Sequence, residues 1–236
     1  MAGRLYLDEN GARTPLAGVT VSLYKGGELS PLMTVLTDDS GRYRFDGLWP
    51  ADYYLEAGLP SGTIFVRPDD PNYESGASAV TASGEGAGTS ELFYLHMSQH
   101  RLDMDVIYIK PARVGDLAWL DENGNGLVDE GEPGIPGVTV QLLQDGEAVY
   151  ETVTDAYGYY LFTDVYPGAY TLVAKAYPEL TPTRQVEALR IISSCLVGGD
   201  GTEAHSDPFE VESGSLNVNY DLGYLLRAVS YTHLTL

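Results

Sequence analysis

At 236 residues, 44% hydrophobic and 20% charged, the chain is long enough for one large domain or two ordinary ones and apolar enough to pack them. Thirteen Lys+Arg against thirty-four Asp+Glu leave a formal charge of −21, which argues against nucleic acid and anionic membrane as partners and favours hard cations. The single cysteine, Cys195, excludes an intrachain disulfide, and no stretch approaches the roughly 20 apolar residues of a membrane span, so no membrane insertion is expected in this segment.

The first ten residues, Met1 to Asn10, lack a basic n-region and an apolar h-region, so no signal peptide is read there. The chain is then either cytosolic or a fragment of something longer. From this point it repeats itself. Leu7-Asp8-Glu9-Asn10-Gly11 returns as Leu120-Asp121-Glu122-Asn123-Gly124, an offset of 113. Gly18-Val19-Thr20-Val21 returns as Gly137-Val138-Thr139-Val140, an offset of 119. Thr37-Asp38 returns as Thr154-Asp155, and Leu48-Trp49-Pro50 through Tyr53 as Val165-Tyr166-Pro167 through Tyr170, both at 117. Conserved order with small drifts predicts two copies of one domain, residues 1–110 and 113–227, joined by Lys110-Pro111-Ala112. So short a joint is expected to be stiff.

Each copy reads as all-β. Val19, Val21 and Leu23 alternate with polar residues, as do Val138, Val140 and Leu142. Tyr43 and Phe45 alternate with Arg42 and Arg44, one face buried and one wet. Turn residues at Gly26-Gly27, Ser40-Gly41, Asp145-Gly146 and Pro167-Gly168 recur at short intervals, the pattern of a sandwich of short strands. Arg4 to Leu7 and Val114 to Leu120 are expected to open the copies. Leu102 to Ile109 and Leu216 to Leu226 are expected to close them. Ser75 to Ser90, rich in Gly, Ser and Ala, predicts a mobile loop. Arg184 to Leu196 fits either a strand or a short helix. Residues 228–236 have no counterpart after the first copy, look like adapter-derived read-through, and are read as a non-native tail.

One segment carries chemistry. Asp121 to Glu132 fits the twelve-position calcium loop, with side-chain oxygens at positions 1, 3, 5, 9 and 12: Asp121, Asn123, Asn125, Asp129 and Glu132. Gly126 stands at position 6, where the chain must turn, and Leu127 at position 7 would offer its carbonyl. Ca²⁺ takes six to eight oxygens, and a tight loop aims alternate side chains at one centre. Magnesium prefers a strict octahedron and keeps its waters, and zinc would want His or Cys nearby. The competing reading is an ordinary polar turn. Pro133 and Pro136 follow the loop, so no helix of an EF-hand or dockerin follows it. In the first copy Asp8 and Asn10 match positions 1 and 3. No residue there matches Asp129 or Glu132, and Arg13 adds positive charge. No strong calcium site is expected in that copy.

Four ordered motifs carry a resemblance: Trp119 to Glu132, Gly134 to Val140, Thr154 to Phe162, and Val165 to Tyr170. Together they resemble the SdrD B-like repeat, within the wider Cna B-type group of Gram-positive surface proteins. The likeness covers most of the second copy and, more loosely, the first. It implies two tandem prealbumin-like or immunoglobulin-like β-sandwiches. It implies a non-enzymatic stalk or spacer in an extracellular, cell-wall-attached, adhesin-like protein, stiffened by Ca²⁺ at Asp121, Asn123, Asn125, Asp129 and Glu132. Its partners would be neighbouring repeats, and this chain would be a fragment lacking signal peptide and anchor. Some relatives of that group carry a Lys–Asn/Asp isopeptide bond that needs a lysine on the first strand. The lysines here are Lys25, Lys110 and Lys175, none on a first strand, so no such bond is expected. An intact mass short by one ammonia per bond would contradict this.

Two other function classes have less support in the residues. The tyrosines and Trp49 could present a contact surface for a host protein or glycan. An enzyme lacks support. His96 and His100 have no nucleophile partner, His205 falls in a polar loop, and His233 falls in the tail. Cys195 has only Arg190 as a basic neighbour and reads as a buried, inert thiol.

Overall fold

The computed structural model describes residues 1–67, 78–84, 86–186, 189, 192–199 and 202–227. The chain divides into two compact units, one spanning Met1–Pro111 and the other beginning at Ala112. Among the described residues the named elements are all strands. In the first unit they are β1 (Ala2–Glu9), β2 (Ala12–Pro15), β3 (Thr20–Lys25), β4 (Met33–Leu36), β5 (Arg42–Arg44) and β6 (Ala51–Gly58), then β7 (Ile64–Phe65), β8 (Thr81–Gly84), β9 (Ala87–Thr89), β10 (Phe93–Leu95) and β11 (Val106–Ile109). In the second they are β12 (Ala112–Leu120), β13 (Thr139–Gln144), β14 (Glu147–Val153), β15 (Tyr159–Val165), β16 (Gly168–Lys175) and β17 (Leu180–Pro182), then β18 (Leu196–Gly199), β19 (Ala204–Ser206), β20 (Phe209–Val211), β21 (Leu216–Asn217) and β22 (Leu222–Leu226).

Each unit is a sandwich of a five-stranded and a six-stranded sheet. The five-stranded sheets run β2-β1-β11-β7, with β5 also on β1, and β15-β12-β22-β17, with β21 also on β12. The six-stranded sheets run β4-β3-β6-β9-β8, with β10 on β6, and β14-β13-β16-β19-β18, with β20 on β16. First and last strands lie side by side and parallel in both units, Leu5 opposite Val106 and Ala118 opposite Leu222.

The alternation legible in the sequence sorts side chains as expected. Val21, Leu23, Tyr43, Phe45 and Leu55 form the first core with Val106 and Tyr108. Val138, Val140, Leu142, Phe162 and Leu172 form the second with Leu222 and Tyr224. Full burial of a Leu or Phe side chain is worth about 1.5–3 kcal/mol, so these two clusters dominate the stability. The polar staples repeat with the strands. Thr37 Oγ1 donates to the Leu16 carbonyl and accepts from Val19 N, and Thr154 Oγ1 does the same with Ile135 and Val138. The Tyr53 and Tyr170 hydroxyls each donate to a carbonyl four residues back, at Trp49 and Tyr166.

Several local expectations are corrected. The loop expected over Ser75 to Ser90 contains a hairpin, β8 with β9, docked on β6 through Glu56–Thr89 and Ala57–Gly88; residues 75–77 and 85 lie outside the described residues. Gly88 is required there, since a Cβ would lie 2.5 Å from the Thr81 carbonyl and 2.7 Å from the Phe65 ring. The first closing strand is shorter than expected, Val106–Ile109. The second is split into β21 and β22. Over Arg184 to Leu196, the described part bridges Leu127 to Ser193 and Ser194 to Asp221 before β18 begins; residues 187–188 and 190–191 lie outside the described residues. His205 is on strand β19 rather than in a loop. The tail expected at 228–236, with His233, also lies outside the described residues.

Candidate metal loop of the second unit

The loop leaves the end of β12 and returns to β13. Its base is clamped by Leu120 N donating to the Pro133 carbonyl and Asp121 N donating to Tyr224 O, so the last strand holds its first residue. Asp121 is 1% exposed. Its Oδ1 accepts the amides of Gly124 (2.7 Å) and Asn125 (3.2 Å). Its Oδ2 accepts Gly126 N at 2.8 Å and the Thr183 hydroxyl. Asn123 Oδ1 accepts Asn125 N at 2.9 Å, and Asn125 Oδ1 accepts Leu127 N at 2.7 Å, two Asx turns in succession. Arg184 Nε donates to the Asn125 carbonyl at 2.9 Å and closes the outer side.

The remaining positions gather around Asp129. Its Oδ2 accepts Asn123 Nδ2 at 2.8 Å and Asn125 Nδ2 at 2.6 Å, so positions 3, 5 and 9 meet at one point. Glu132 folds back over the loop, Oε1 on Glu122 N (3.0 Å) and Oε2 on Asp129 N (3.1 Å). Among the described residues no donor is bonded to the Leu127 carbonyl; the neighbouring ladder bond runs from Val128 N to Ile192 O. The six expected ligand positions thus share one loop.

They do not form a ready cage. Among the described residues no three His, Cys, Asp or Glu side chains stand close enough to hold a metal. The reason is visible in the bonds above. Asp121 is spent on backbone and Thr183, Glu132 caps amides, and the contribution at positions 3 and 5 is amide, not carboxylate. The donor chemistry still suits a hard cation. Each carboxylate or amide oxygen has two lone pairs, and a half-turn of either asparagine amide puts oxygen where nitrogen now meets Asp129.

Gly126 is the pivot, at φ +82°, with a notional Cβ only 2.4 Å from the Arg184 carbonyl. Gly124, at φ +70°, has nothing closer than Leu225 Cδ2 at 3.8 Å. Gly126→Ala is expected to cost about 3 kcal/mol or more, against about 1 kcal/mol for Gly124→Ala, because strain and clash add only at the first. Denaturant titration of both variants checks the difference.

In the first unit the matching carboxylate has another partner. Asp8 Oδ1 accepts Gly11 N at 2.7 Å, and Arg13 Nε sits 3.1 Å from Oδ2. The chain then runs directly into β2, which pairs back on β1.

Sequence reading missed Thr183 and Arg184, which reach the loop from about sixty positions away, and a carboxyl pair in the second unit. Asp221, beside β22, is pushed up to about 7, chiefly by burial and next by Asp116 of β12, against the Leu117 amide that holds it down. Burial also raises Asp116. The Cys195 thiol is pushed up by burial and by Asp221, so it stays protonated and unreactive. His96 and His100 are exposed, and His96 lies edge-on to Tyr94. Many tyrosines considered for a contact surface are core instead, among them Tyr43, Tyr53, Tyr108, Tyr160, Tyr170 and Tyr224; Trp49 is 80% exposed.

Comparison with known proteins agrees with the repeat. The SdrD B-like domain family model matches residues 7–106 and 112–224. The chain is 35% identical over 184 residues to serine-aspartate repeat-containing protein F of Staphylococcus epidermidis, covering 75% of this chain and 10% of that protein. It is 34% identical over 171 residues to serine-aspartate repeat-containing protein D of Staphylococcus aureus, covering 71% and 12%. It thus spans about a tenth of the length of these relatives. A minor pilin of Streptococcus agalactiae overlaps 97% of this chain and 96% of its own at 14% identity and a TM-score of 0.32. With both halves matched in register with its two sandwiches, the chain belongs to the SdrD B-like domain family.

Proposed function

We propose that this chain is a non-enzymatic stalk segment of a longer cell-surface protein, its second unit stiffened by Ca²⁺. The observation that carries the stalk reading is the tandem match to the SdrD B-like domain, within relatives of which the matched part is only 10–12%. Among the described residues no helix is long and apolar enough to cross a membrane. Neighbouring repeats of the parent protein are the immediate partners.

Calcium would be held by Asp121, Asn123, Asn125, Asp129 and Glu132 with the Leu127 carbonyl. When bound, the ion would supply two positive charges against the three carboxylates of Asp121, Asp129 and Glu132. The residues do the rest. Asn123 and Asn125 would turn their amides to present oxygen beside Asp129. Glu132 would leave the amides of Glu122 and Asp129 and offer its oxygens to the ion. Asp121 would keep the backbone of residues 124–126 curled, and because each of its oxygens already accepts two donors it would release one of them, the Thr183 hydroxyl or an amide, to reach the ion. Extracellular modules bind calcium at roughly 10⁻⁴–10⁻³ M, so about 1 mM calcium stabilises by only about 0.4–1.4 kcal/mol. That suffices to suppress local opening of the loop. Limited proteolysis is the test: cleavage within 121–132 is expected in EDTA and suppressed in millimolar calcium. Equal cleavage in both would leave the loop an ordinary turn.

A further inference from the structure

The first unit carries a groove of about 740 Å³ walled by Arg4 and Tyr6 of β1, Arg42 and Arg44 of β5, Leu36 of β4, and Leu102. Leu5 and Tyr43 point into the core, so the three arginines stand on the opposite face of the β1–β5 ladder. A chain with thirteen Lys+Arg and a charge of −21 thus places three of its cations in one depression, against two aspartates, Asp38 and Asp105.

The fold does not require them. In the first unit Ala2, Gly3 and Arg4 pair with Arg44, Tyr43 and Arg42. In the second, Gly115, Asp116 and Leu117 pair with Leu161, Tyr160 and Tyr159. The same ladder is therefore built with Leu117, Tyr159 and Leu161 where the first unit has Arg4, Arg42 and Arg44.

Nor are Arg4 and Arg42 ion-paired. Among the described residues no carboxylate oxygen lies within 4.0 Å of the Arg4 or Arg42 guanidinium, while Arg44 pairs with Asp46 at 2.7 Å on the exposed surface. The two acids in the groove wall, Asp38 and Asp105, attract the Arg4 guanidinium from a distance while their bonded oxygens accept backbone amides and, at Asp38, the Ser40 hydroxyl. Asp105 Oδ1 accepts Arg4 N, and Asp38 Oδ1 accepts Ser40 N and Arg42 N. Arg4 Nη1 donates to the Tyr6 hydroxyl at 3.2 Å, which steadies that guanidinium. Beside the cations, Leu36 and Leu102 are 64% and 69% exposed.

We propose that this groove docks an extended acidic peptide of a partner chain, with apolar side chains between its carboxylates. Guanidinium forks match carboxylates in bidentate geometry, and the two leucines receive the apolar groups. The negative charge of the rest of the chain repels long polyanions, which favours a short acidic segment over a sulfated glycan.

The test is fluorescence anisotropy with the whole chain and a labelled peptide of repeating Asp-Leu-Ser, beside a Lys-Leu-Ser control and heparin. Saturable binding of the acidic peptide, weakened by salt and at least about tenfold by Arg4→Gln/Arg42→Gln/Arg44→Gln at unchanged melting, is expected. Should that variant melt early, Arg42→Gln alone, an exposed position, is expected to weaken binding about threefold. No binding, equal binding of the Lys peptide, undiminished binding by the variants, or tighter binding of heparin would each overturn the proposal.

Discussion

Asp121→Ala is expected to cost the second unit about 3–5 kcal/mol, a large share of the 5–15 kcal/mol that holds a domain together. The buried carboxylate accepts three backbone amides and the Thr183 hydroxyl. Removing it strands those donors, each worth about 1–3 kcal/mol where water cannot reach. Asp129→Ala, by contrast, frees two exposed asparagine amides that water can satisfy, and is expected to cost under about 1 kcal/mol. Asp8→Ala in the first unit should fall between, since Asp8 accepts one amide and one partly exposed guanidinium. Denaturant unfolding of the three variants checks the order. Equal costs for Asp121→Ala and Asp129→Ala would show that the aspartate is not the loop's anchor. The expected cost also makes Asp121→Ala a poor probe of calcium, because it breaks the loop with or without the ion.

The second large effect is a fall in the second unit's stability as pH rises from about 4 to about 7. Asp221 is raised to about 7 by burial and by Asp116, which is raised as well. Across that window the folded unit holds a proton that the unfolded chain has released. Stability then drops with pH, by up to about 1.4 kcal/mol per unit for one proton, and levels off above the folded pKa. Other carboxylates of this acidic chain work in their own directions, so the diagnostic is a difference. Asp221→Asn keeps an oxygen for the Leu117 amide and cannot ionise. Its stability relative to the unsubstituted chain should grow between pH 4 and 7. A constant difference across that range would remove the buried proton from the account.

Much of the fold could be read from residues alone because apolar alternation and internal repetition report the same thing. Tyr43 and Phe45 alternating with Arg42 and Arg44, and Val138, Val140 and Leu142 alternating with polar residues, announce half-buried strands, and β5 and β13 run through these segments. The β8–β9 hairpin could not be read that way. Its Thr-Ala-Ser-Gly and Ala-Gly-Thr are rich in strand-poor Gly and Ala and lack apolar alternation, and the segment is extended because β9 pairs with β6 and Gly88 fits over Phe65. At the loop, local spacing pointed to the oxygen donors from Asp121 to Glu132. It could not show that Asp121 serves the backbone first, nor that Thr183 and Arg184 arrive from a distant segment, because neither leaves a local pattern.

The most direct test of the central claim is a calorimetric melt of the chain at fixed pH in EDTA and in millimolar calcium, beside Glu132→Gln. Glu132 bonds only exposed amides at the loop's rim, so its replacement should leave the EDTA melt nearly unchanged. Calcium is expected to raise one transition by several degrees, that of the second unit, and Glu132→Gln to lose most of the rise. No shift at millimolar calcium, or a shift that Glu132→Gln leaves intact, would contradict that claim.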